Sequence, residues 1–322
     1  MNICMVGYGM MGVWHSDALL DEDCTLHTVV GRREEPTEGF AKRYGYRRWT
    51  VDLNDALVDP AIDIVIIATP SETHADYAIR SVEAGKHTLL EIPIAMTLED
   101  SERVAAAAEK SGVTFGLCHP MRLRPERGPM RDRIAAGKEA IRHIQGRFFI
   151  HRLSNVGATG YHRSWSDNIL WHHFTHFLDL GLWLLDFQGE LAYSFLGPVH
   201  EKTGMPMECI LAIETPANQT LLVSGSYHAR ERVYDSLVVT DRDSYRIDIL
   251  NDRLYTGDGS VGILSEKDNL ALVTKDFIAA VRDGRDPAVT GRSVLPAMRI
   301  LDAAQSRWDA RFGAQSLPGR QL

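Results

Sequence analysis

The chain has 322 residues, 44% of them hydrophobic, which exceeds what one core usually supports, so two domains are expected. Its formal net charge of −8 argues against a nucleic-acid or membrane partner, either of which favours a basic surface. No apolar stretch approaches the roughly 20 residues that span a bilayer, and no charged, apolar leader pattern opens the sequence, so the expectation is a soluble, cytoplasmic protein. The cysteines at 4, 24, 118 and 209 follow no pattern and suit a reducing compartment, where they serve as small apolar residues.

The first apolar run, NICMV, ends in GYGMMG, and MGVWHSDALL has helical spacing, so the glycines sit where a strand turns into a helix. TLHTVV follows as a strand, TEGFAKRYG as a helix stopped by Gly45, VDLNDALVD as a helix and IDIVIIAT as a continuous apolar strand. THADYAIRSVEAGK reads as a helix ending at Gly85, and HTLLEI as a strand. TLEDSERVAAAAEKSG opens with Thr97 as a cap and Asp100 three residues later, closes at Gly112 and leads into the strand VTFGLCH. Continuous apolar strands separated by helices predict a doubly wound parallel sheet, an α/β domain over 1–118.

After RIAAGKEAI the texture changes. IQGRFFIHR, MECILAIETP, QTLLVSGSYHA, YDSLVVTD and SYRIDIL read as strands separated by Gly, Pro, Asn and Asp, with one strong helical stretch, 166–187. The remainder, 119–322, is therefore expected to be an α+β domain with a large, mostly antiparallel open sheet. Its tail returns to helical periodicity and is expected to pack back on the first domain. An uncovered sheet invites pairing with further copies, as a homodimer or homotetramer.

Gly7, Gly9 and Gly12, with Met10 and Met11 between them, form G-x-G-x-x-G between strand and helix, so backbone can approach a pyrophosphate seated on the helix N-terminus. The second strand ends in VVGRRE, where NAD sites place an acid. Arg32 and Arg33 favour a 2′-phosphate by charge and forked hydrogen bonds, so NADP is expected, with NAD the alternative. Glu34 and Glu35 could instead hold either arginine in a surface ion pair.

In ILWHHFTHFLD, His172 and His176 stand four apart and share a helix face with Asp179, a spacing open to a metal site, an acid and base pair, or filling. The zinc motif with a glutamate between two histidines is absent, and no close cysteine pair offers ligands, so no metal is expected. Between His119 and Arg163 ten Lys and Arg stand against three Asp and Glu. Either this is a solvated basic face or some of these cations meet an anionic ligand.

GYGMMG, ATPSETH at 68–74, AGKHTLLEIP at 84–93 and HFLDL at 176–180 occur in the order found in the glucose-fructose oxidoreductase, inositol dehydrogenase and MocA family, which the chain resembles over nearly its whole length. The resemblance implies a Rossmann domain joined to an α+β domain, NAD or NADP as cofactor, and oxidation or reduction of sugars and related molecules. It places Thr69, Pro70 and His74 on the nicotinamide side and Glu91, Ile92 and Pro93 in the family's Glu-Lys-Pro segment. Two departures stand out: the lysine is Ile92, and the usual Asp-x-Gly-x-His ends on His176 but begins on His172.

Within the family, EIP together with RSWSDNILWHH is similar to the branch that acts on 4-carboxy-2-hydroxymuconate 6-semialdehyde, whose substrate closes to a cyclic hemiacetal and whose product is 2-pyrone-4,6-dicarboxylate. That likeness implies a small anionic organic substrate. Oxidising a hemiacetal needs a hydride acceptor and one base, and an imidazole near its ordinary pKa of about 6.5 can serve. His176 is expected as the base, with His172 polarising the hydroxyl or ring oxygen. His173, about 100° away around a helix, reads first as structural and stays among the substrate-side candidates. Arg122, Arg124, Arg152 and Arg163 are candidates for the carboxylates, and Trp165 for stacking on a flat ring. The rival readings are a dehydrogenase of a neutral sugar or polyol, and an NADP-binding sensor without turnover.

Overall fold

The computed structural model describes residues 1–157, 160, 162, 164–165 and 168–313, and among them no helix is long and apolar enough to cross a membrane. It forms two compact units, the first built on Met1–Pro120 and taking in Leu270–Leu295, the second built on Met121–Asn155 and Ser164–Asn269 and continuing from Pro296.

The first unit runs β1 (Asn2–Val6), α1 (Met10–Leu19), β2 (Thr25–Val30), α2 (Glu34–Tyr44), β3 (Arg48–Thr50), α3 (Leu53–Leu57), β4 (Ile64–Ile67), α4 (His74–Glu83), β5 (His87–Leu90), α5 (Leu98–Ser111) and β6 (Phe115–Leu117). Its six strands are all parallel, in the order β3-β2-β1-β4-β5-β6. Helices on both faces bury the central strands, so Ile64, Val65, Ile66 and Ile67 are wholly enclosed, as their unbroken apolar run requires. Thr97 caps α5 by accepting from the Asp100 amide at 3.0 Å. The strand order reverses at β1 and β4, the switch point where sheets of this kind receive a nucleotide.

The second unit contains α6 (Arg127–Ala135), β7 (Ile141–His151), α7 (Thr175–Leu184), β8 (Glu190–Leu196), β9 (Glu208–Glu214), β10 (Thr220–Ser226), β11 (His228–Thr240), β12 (Ser244–Asp248), β13 (Arg253–Thr256) and β14 (Gly259–Gly262). The sheet order is β14-β13-β12-β11-β7-β10-β9-β8, antiparallel except where β7 meets β10. α7 lies close on its central strands because glycines leave room: a Cβ on Gly146 would stand 2.4 Å from the Phe177 ring, and one on Gly181 would stand 2.5 Å from Leu221. Strand alternation turns Arg147 to the opposite face, where it and Arg246 close on Asp235. Two long helices follow, α8 (Glu266–Asp283), which from Leu270 belongs to the first unit, and α9 (Leu295–Phe312), which from Pro296 belongs to the second. α9 is fastened there by Trp308 Nε1 donating to the Gly197 carbonyl at 3.0 Å.

One element departs from its sequence reading in a way that matters for chemistry. The histidine stretch is not one α-helix over 166–187 but a π-helical turn, Ile169–Phe174, that continues into α7. Asn168 starts it, its side chain accepting from the Trp171 amide at 2.9 Å, and Thr175 Oγ1 donates back to the Trp171 carbonyl at 2.6 Å. A π turn bonds i to i+5 and is wider than an α turn, so side-chain directions within it do not follow α spacing.

Candidate active site

β1 passes into α1 through the glycine turn. Gly7 has φ +108°, and a Cβ there would lie 2.3 Å from the Ala68 carbonyl oxygen, while a Cβ on Gly12 would lie 2.3 Å from the Gly7 carbonyl oxygen. Neither position has room for a side chain. Gly9 is different: it is the N-cap of α1, and a Cβ there would meet no protein atom within 4 Å. The amides of Met10 and Met11 thus open a ten-residue helix beside a cradle that only a missing side chain leaves clear, which fits the pyrophosphate of a dinucleotide. Arg32 and Arg33 follow β2 and are exposed, and Glu34 and Glu35 occupy the first turn of α2, where the helix dipole favours acids. The residues present therefore fit NAD or NADP.

The nicotinamide-side candidates of the first unit fall in two hydrogen-bonded groups, one around His74 and one around Glu91. His74, 1% exposed, places Nδ1 2.7 Å from the Pro93 carbonyl and Nε2 3.0 Å from the Thr69 carbonyl, tying together the loops after β4 and β5. Pro70 starts the short 3-10 turn between them. Ile92, in the lysine's place, is 4% exposed and joined to Pro93 by a cis peptide bond. Glu91 receives His15 Nε2 at 2.9 Å, and His15 Nδ1 contacts Thr274 Oγ1 at 2.8 Å. Burial alone would raise the Glu91 carboxyl, but the hydrogen bond and charge of His15, with help from Cys118 and His74, bring it below its ordinary value. Donor atoms of His15, Glu91 and Cys118 lie within 4.8 Å of one another, the one such group among the described residues. Their 2.9 Å contact has hydrogen-bond length, and burial holds the Cys118 thiol well above its ordinary pKa, as a neutral donor. His15 and Cys118 carried no signal in the sequence beyond apolar-face spacing.

In the second unit the π turn gathers the three imidazoles. His172 and His173 have ring centroids 4.7 Å apart, and His172 and His176 6.2 Å, each pair edge to face. The His173 ring, expected about 100° away around a helix, lies nearer that of His172 than the His176 ring does. All three side chains are partly exposed. The His173 ring stacks on Phe148 at 3.8 Å, and its Nδ1 lies 2.9 Å from Tyr227 Oη. Burial first, then the charges of His172, Arg152 and His176, hold His173 well below the ordinary 6.5 of an imidazole. Tyr227, wholly buried, is a site neighbour that the sequence showed only as a strand residue.

The arginines divide. Arg122, expected to meet a substrate carboxylate, is 5% exposed and instead grips both oxygens of Asp179, its Nε at 2.7 Å. Arg124 is 3% exposed, donates to the Leu264 carbonyl at 3.0 Å, and is held below its ordinary pKa by burial. Arg127, which the sequence reading passed over, is 1% exposed, donates to Ser236 Oγ at 2.6 Å, and is brought down to about 10 by burial. Arg152 stands near the histidine segment, where its charge acts on His173. Its guanidinium lies 5.7 Å from the Trp165 ring centre and 5.5 Å from that of Tyr227, and it bonds Asn155, itself 4% exposed. Arg163 lies outside the described residues.

Comparison with known proteins agrees with both units. Residues 1–119 match the family described as oxidoreductase family, NAD-binding Rossmann fold, and residues 125–260 match bacterial oxidoreductases, C-terminal. A 4-carboxy-2-hydroxymuconate-6-semialdehyde dehydrogenase from a Sphingobium species is 31% identical over 310 residues, covering 94% of this chain and 96% of the relative. A scyllo-inositol 2-dehydrogenase (NAD(+)) of Bacillus subtilis is 31% identical over 140 residues, 42% of this chain and 40% of the relative. Among solved structures, levoglucosan dehydrogenase in complex with NADH and levoglucosan superposes with a TM-score of 0.83 at 19% identity, covering 95% of this chain and 96% of that one, a likeness of fold.

Proposed function

The chain belongs to the Gfo/Idh/MocA oxidoreductase family and is an NAD(P)-dependent oxidoreductase acting on CH–OH groups, and we propose that it oxidises a cyclic, anionic hemiacetal of the 4-carboxy-2-hydroxymuconate 6-semialdehyde type to 2-pyrone-4,6-dicarboxylate, with NADP as acceptor. The observation that carries this reading is the imidazole row, in which His172 and His176 stand 6.2 Å apart in a segment where the family's aspartate has become a histidine. Bound NADP supplies the hydride acceptor. His176 takes the hydroxyl proton of the substrate, and His172 polarises the hydroxyl or ring oxygen. A hemiacetal already carries its hydroxyl and its hydrogen on one carbon, so one neutral base suffices and the lysine replaced by Ile92 is not required.

Thr69, Pro70, His74, Glu91 and Pro93 hold the nicotinamide side, the glycine turn holds the pyrophosphate, and Arg32 and Arg33 take the 2′-phosphate. Arg152, set against Trp165 and Tyr227, supplies a cation for one carboxylate, and Trp165 a face for the ring. The protein works as a homodimer or homotetramer in the cytoplasm. The test is purified protein mixed with NADP and the ring-cleavage product of protocatechuate: absorbance of reduced cofactor is expected, and no reduction with either nucleotide removes the substrate claim. His176→Asn should lower turnover by ~10² or more, and an unaltered rate moves the proton to another acceptor.

A second reading, oxidation of a neutral sugar or polyol, has one observation in its favour: Arg122 and Arg124 are both turned to protein oxygens. It predicts turnover of uncharged substrates that survives Arg152→Met.

A further inference from the structure

The turn that carries the imidazole row is held partly from outside its own segment. Trp171, 1% exposed within the π turn, is bonded on three sides: its amide donates to Asn168 Oδ1 at 2.9 Å, its carbonyl accepts from Thr175 Oγ1 at 2.6 Å, and its indole Nε1 donates to Gln305 Oε1 at 3.3 Å. Asn168 and Thr175 belong to the histidine segment, whereas Gln305 lies 134 residues further along the chain, on the part of α9 that belongs to the same unit. Its side chain is buried, and only one orientation of its amide satisfies both neighbours. An indole only donates, so Oε1 faces Trp171; a carboxylate only accepts, so Nε2 faces Asp309 Oδ1, at 2.7 Å.

We infer that Gln305 is a positioning residue: through Trp171 it holds the π turn in which the rings of His172, His173 and His176 stand together. Its consequence for turnover rests on the dehydrogenase reading above. π turns are rare and occur mostly as single turns within α-helices, so this segment has ordinary α-helix as a ready alternative. Trp171 immediately precedes His172, so a change of path at 171 carries the 4.7 Å and 6.2 Å ring pairs with it. α9 does not need Gln305 in order to dock. Trp308 Nε1 bonds the Gly197 carbonyl at 3.0 Å, and Arg307 reaches the Leu191 and Ala192 carbonyls at 2.7 and 3.2 Å, all three at β8 or the residue after it. A buried amide is costly unless its hydrogen bonds are made, and an apolar side chain at 305 would avoid that cost. What the amide adds is direction, because a hydrogen bond fixes the depth and angle of the indole where apolar packing leaves both looser.

Three variants of the full-length protein test this. Gln305→Met nearly keeps the volume and removes the acceptor, so turnover should fall about ten-fold or more with KM for NADP unchanged. Gln305→Glu combined with Asp309→Asn exchanges the two roles on α9: an acceptor again faces the indole, and an amide donates to it from position 309. Turnover should then return to within about three-fold of the parent. Arg307→Met loosens α9 at β8 and should lower the thermal midpoint with turnover unchanged. A Gln305→Met protein as active as the parent, a folded double variant as slow as Gln305→Met, or an Arg307→Met protein that loses as much turnover overturns the proposal. Spectra of ¹⁵N-labelled protein test the positioning without turnover. The ring resonances of His172 and His173 should move in Gln305→Met and hold in Arg307→Met, and rings unmoved in Gln305→Met overturn it. In the parent, the Trp171 indole hydrogen should exchange as slowly as the backbone amides of α9; one that exchanges freely overturns the proposal even where no variant folds. A parent protein that reduces neither nucleotide with any hemiacetal or sugar tested sinks the dehydrogenase reading, while the spectra still decide whether Gln305 holds the turn.

Discussion

Arg122 holds both carboxylate oxygens of Asp179, three residues beyond His176 on α7, with the two side chains 3% and 1% exposed. A charge pair this far from water is stable only while both partners remain. Asp179→Ala leaves an uncompensated guanidinium in the interior and should cost about 3–5 kcal/mol, whereas Arg122→Met with Asp179→Leu should recover much of that loss. Urea unfolding curves of the two variants make the comparison. A single variant within about 1 kcal/mol of the parent would mean that water reaches the pair.

Gly7 and Gly9 of the first turn should fail in different ways. Gly7→Ala puts a Cβ 2.3 Å from the Ala68 oxygen at φ +108°, so it should destabilise the fold itself, by about 1–3 kcal/mol. Gly9→Ala meets no protein atom and should leave the thermal midpoint unchanged, yet place a methyl where the pyrophosphate approaches α1. Its expected signature is a KM for the nucleotide raised by about ten-fold, about 1.4 kcal/mol. Unchanged nucleotide affinity in Gly9→Ala would move the pyrophosphate elsewhere.

The parallel sheet was legible because each buried strand declares itself as an unbroken apolar run, IDIVIIAT above all, and because Thr97 and Gly112 punctuate α5. The far edge of the second sheet was not. β13 and β14, RLYT and GSVG, are short, partly or fully exposed, and alternate nothing. The π turn could not be read from spacing, since the same residues satisfy an α pattern until Asn168 and Thr175 are seen bonding to Trp171. Partners distant in sequence were invisible in the same way. Arg122 looked like a ligand for an anion because Asp179 lies 57 residues away, and His15 looked like a helix residue until Glu91 came to meet it.

Arg32 and Arg33 are exposed at the end of β2, where the adenosine ribose of a bound dinucleotide would lie. Their combined replacement by alanine should weaken NADP by roughly 10²-fold through loss of charge-assisted, forked bonds to the 2′-phosphate, and should barely change NAD. Nucleotide titrations followed by protein fluorescence read both affinities. Equal weakening of the two would assign the arginines to the surface of α2 and defeat the preference for NADP.

The depressed pKa of His173 also fixes the sign of a pH effect on stability. Folded, the ring resists protonation to well below 6.5, whereas in the unfolded chain it titrates near that value. Between the two values the unfolded state binds the extra proton, so stability rises with pH there; the contribution is complete above the unfolded value and is lost as pH falls toward the folded one. The thermal midpoint of the parent should therefore drop as the buffer is taken from about pH 7.5 to about pH 5.5. His173→Gln cannot titrate and should show a flatter curve over the same range, whatever its midpoint at neutral pH. Since His172 and His176 remain in both proteins, the difference between the two curves isolates His173, and curves that run parallel would place the proton on another group.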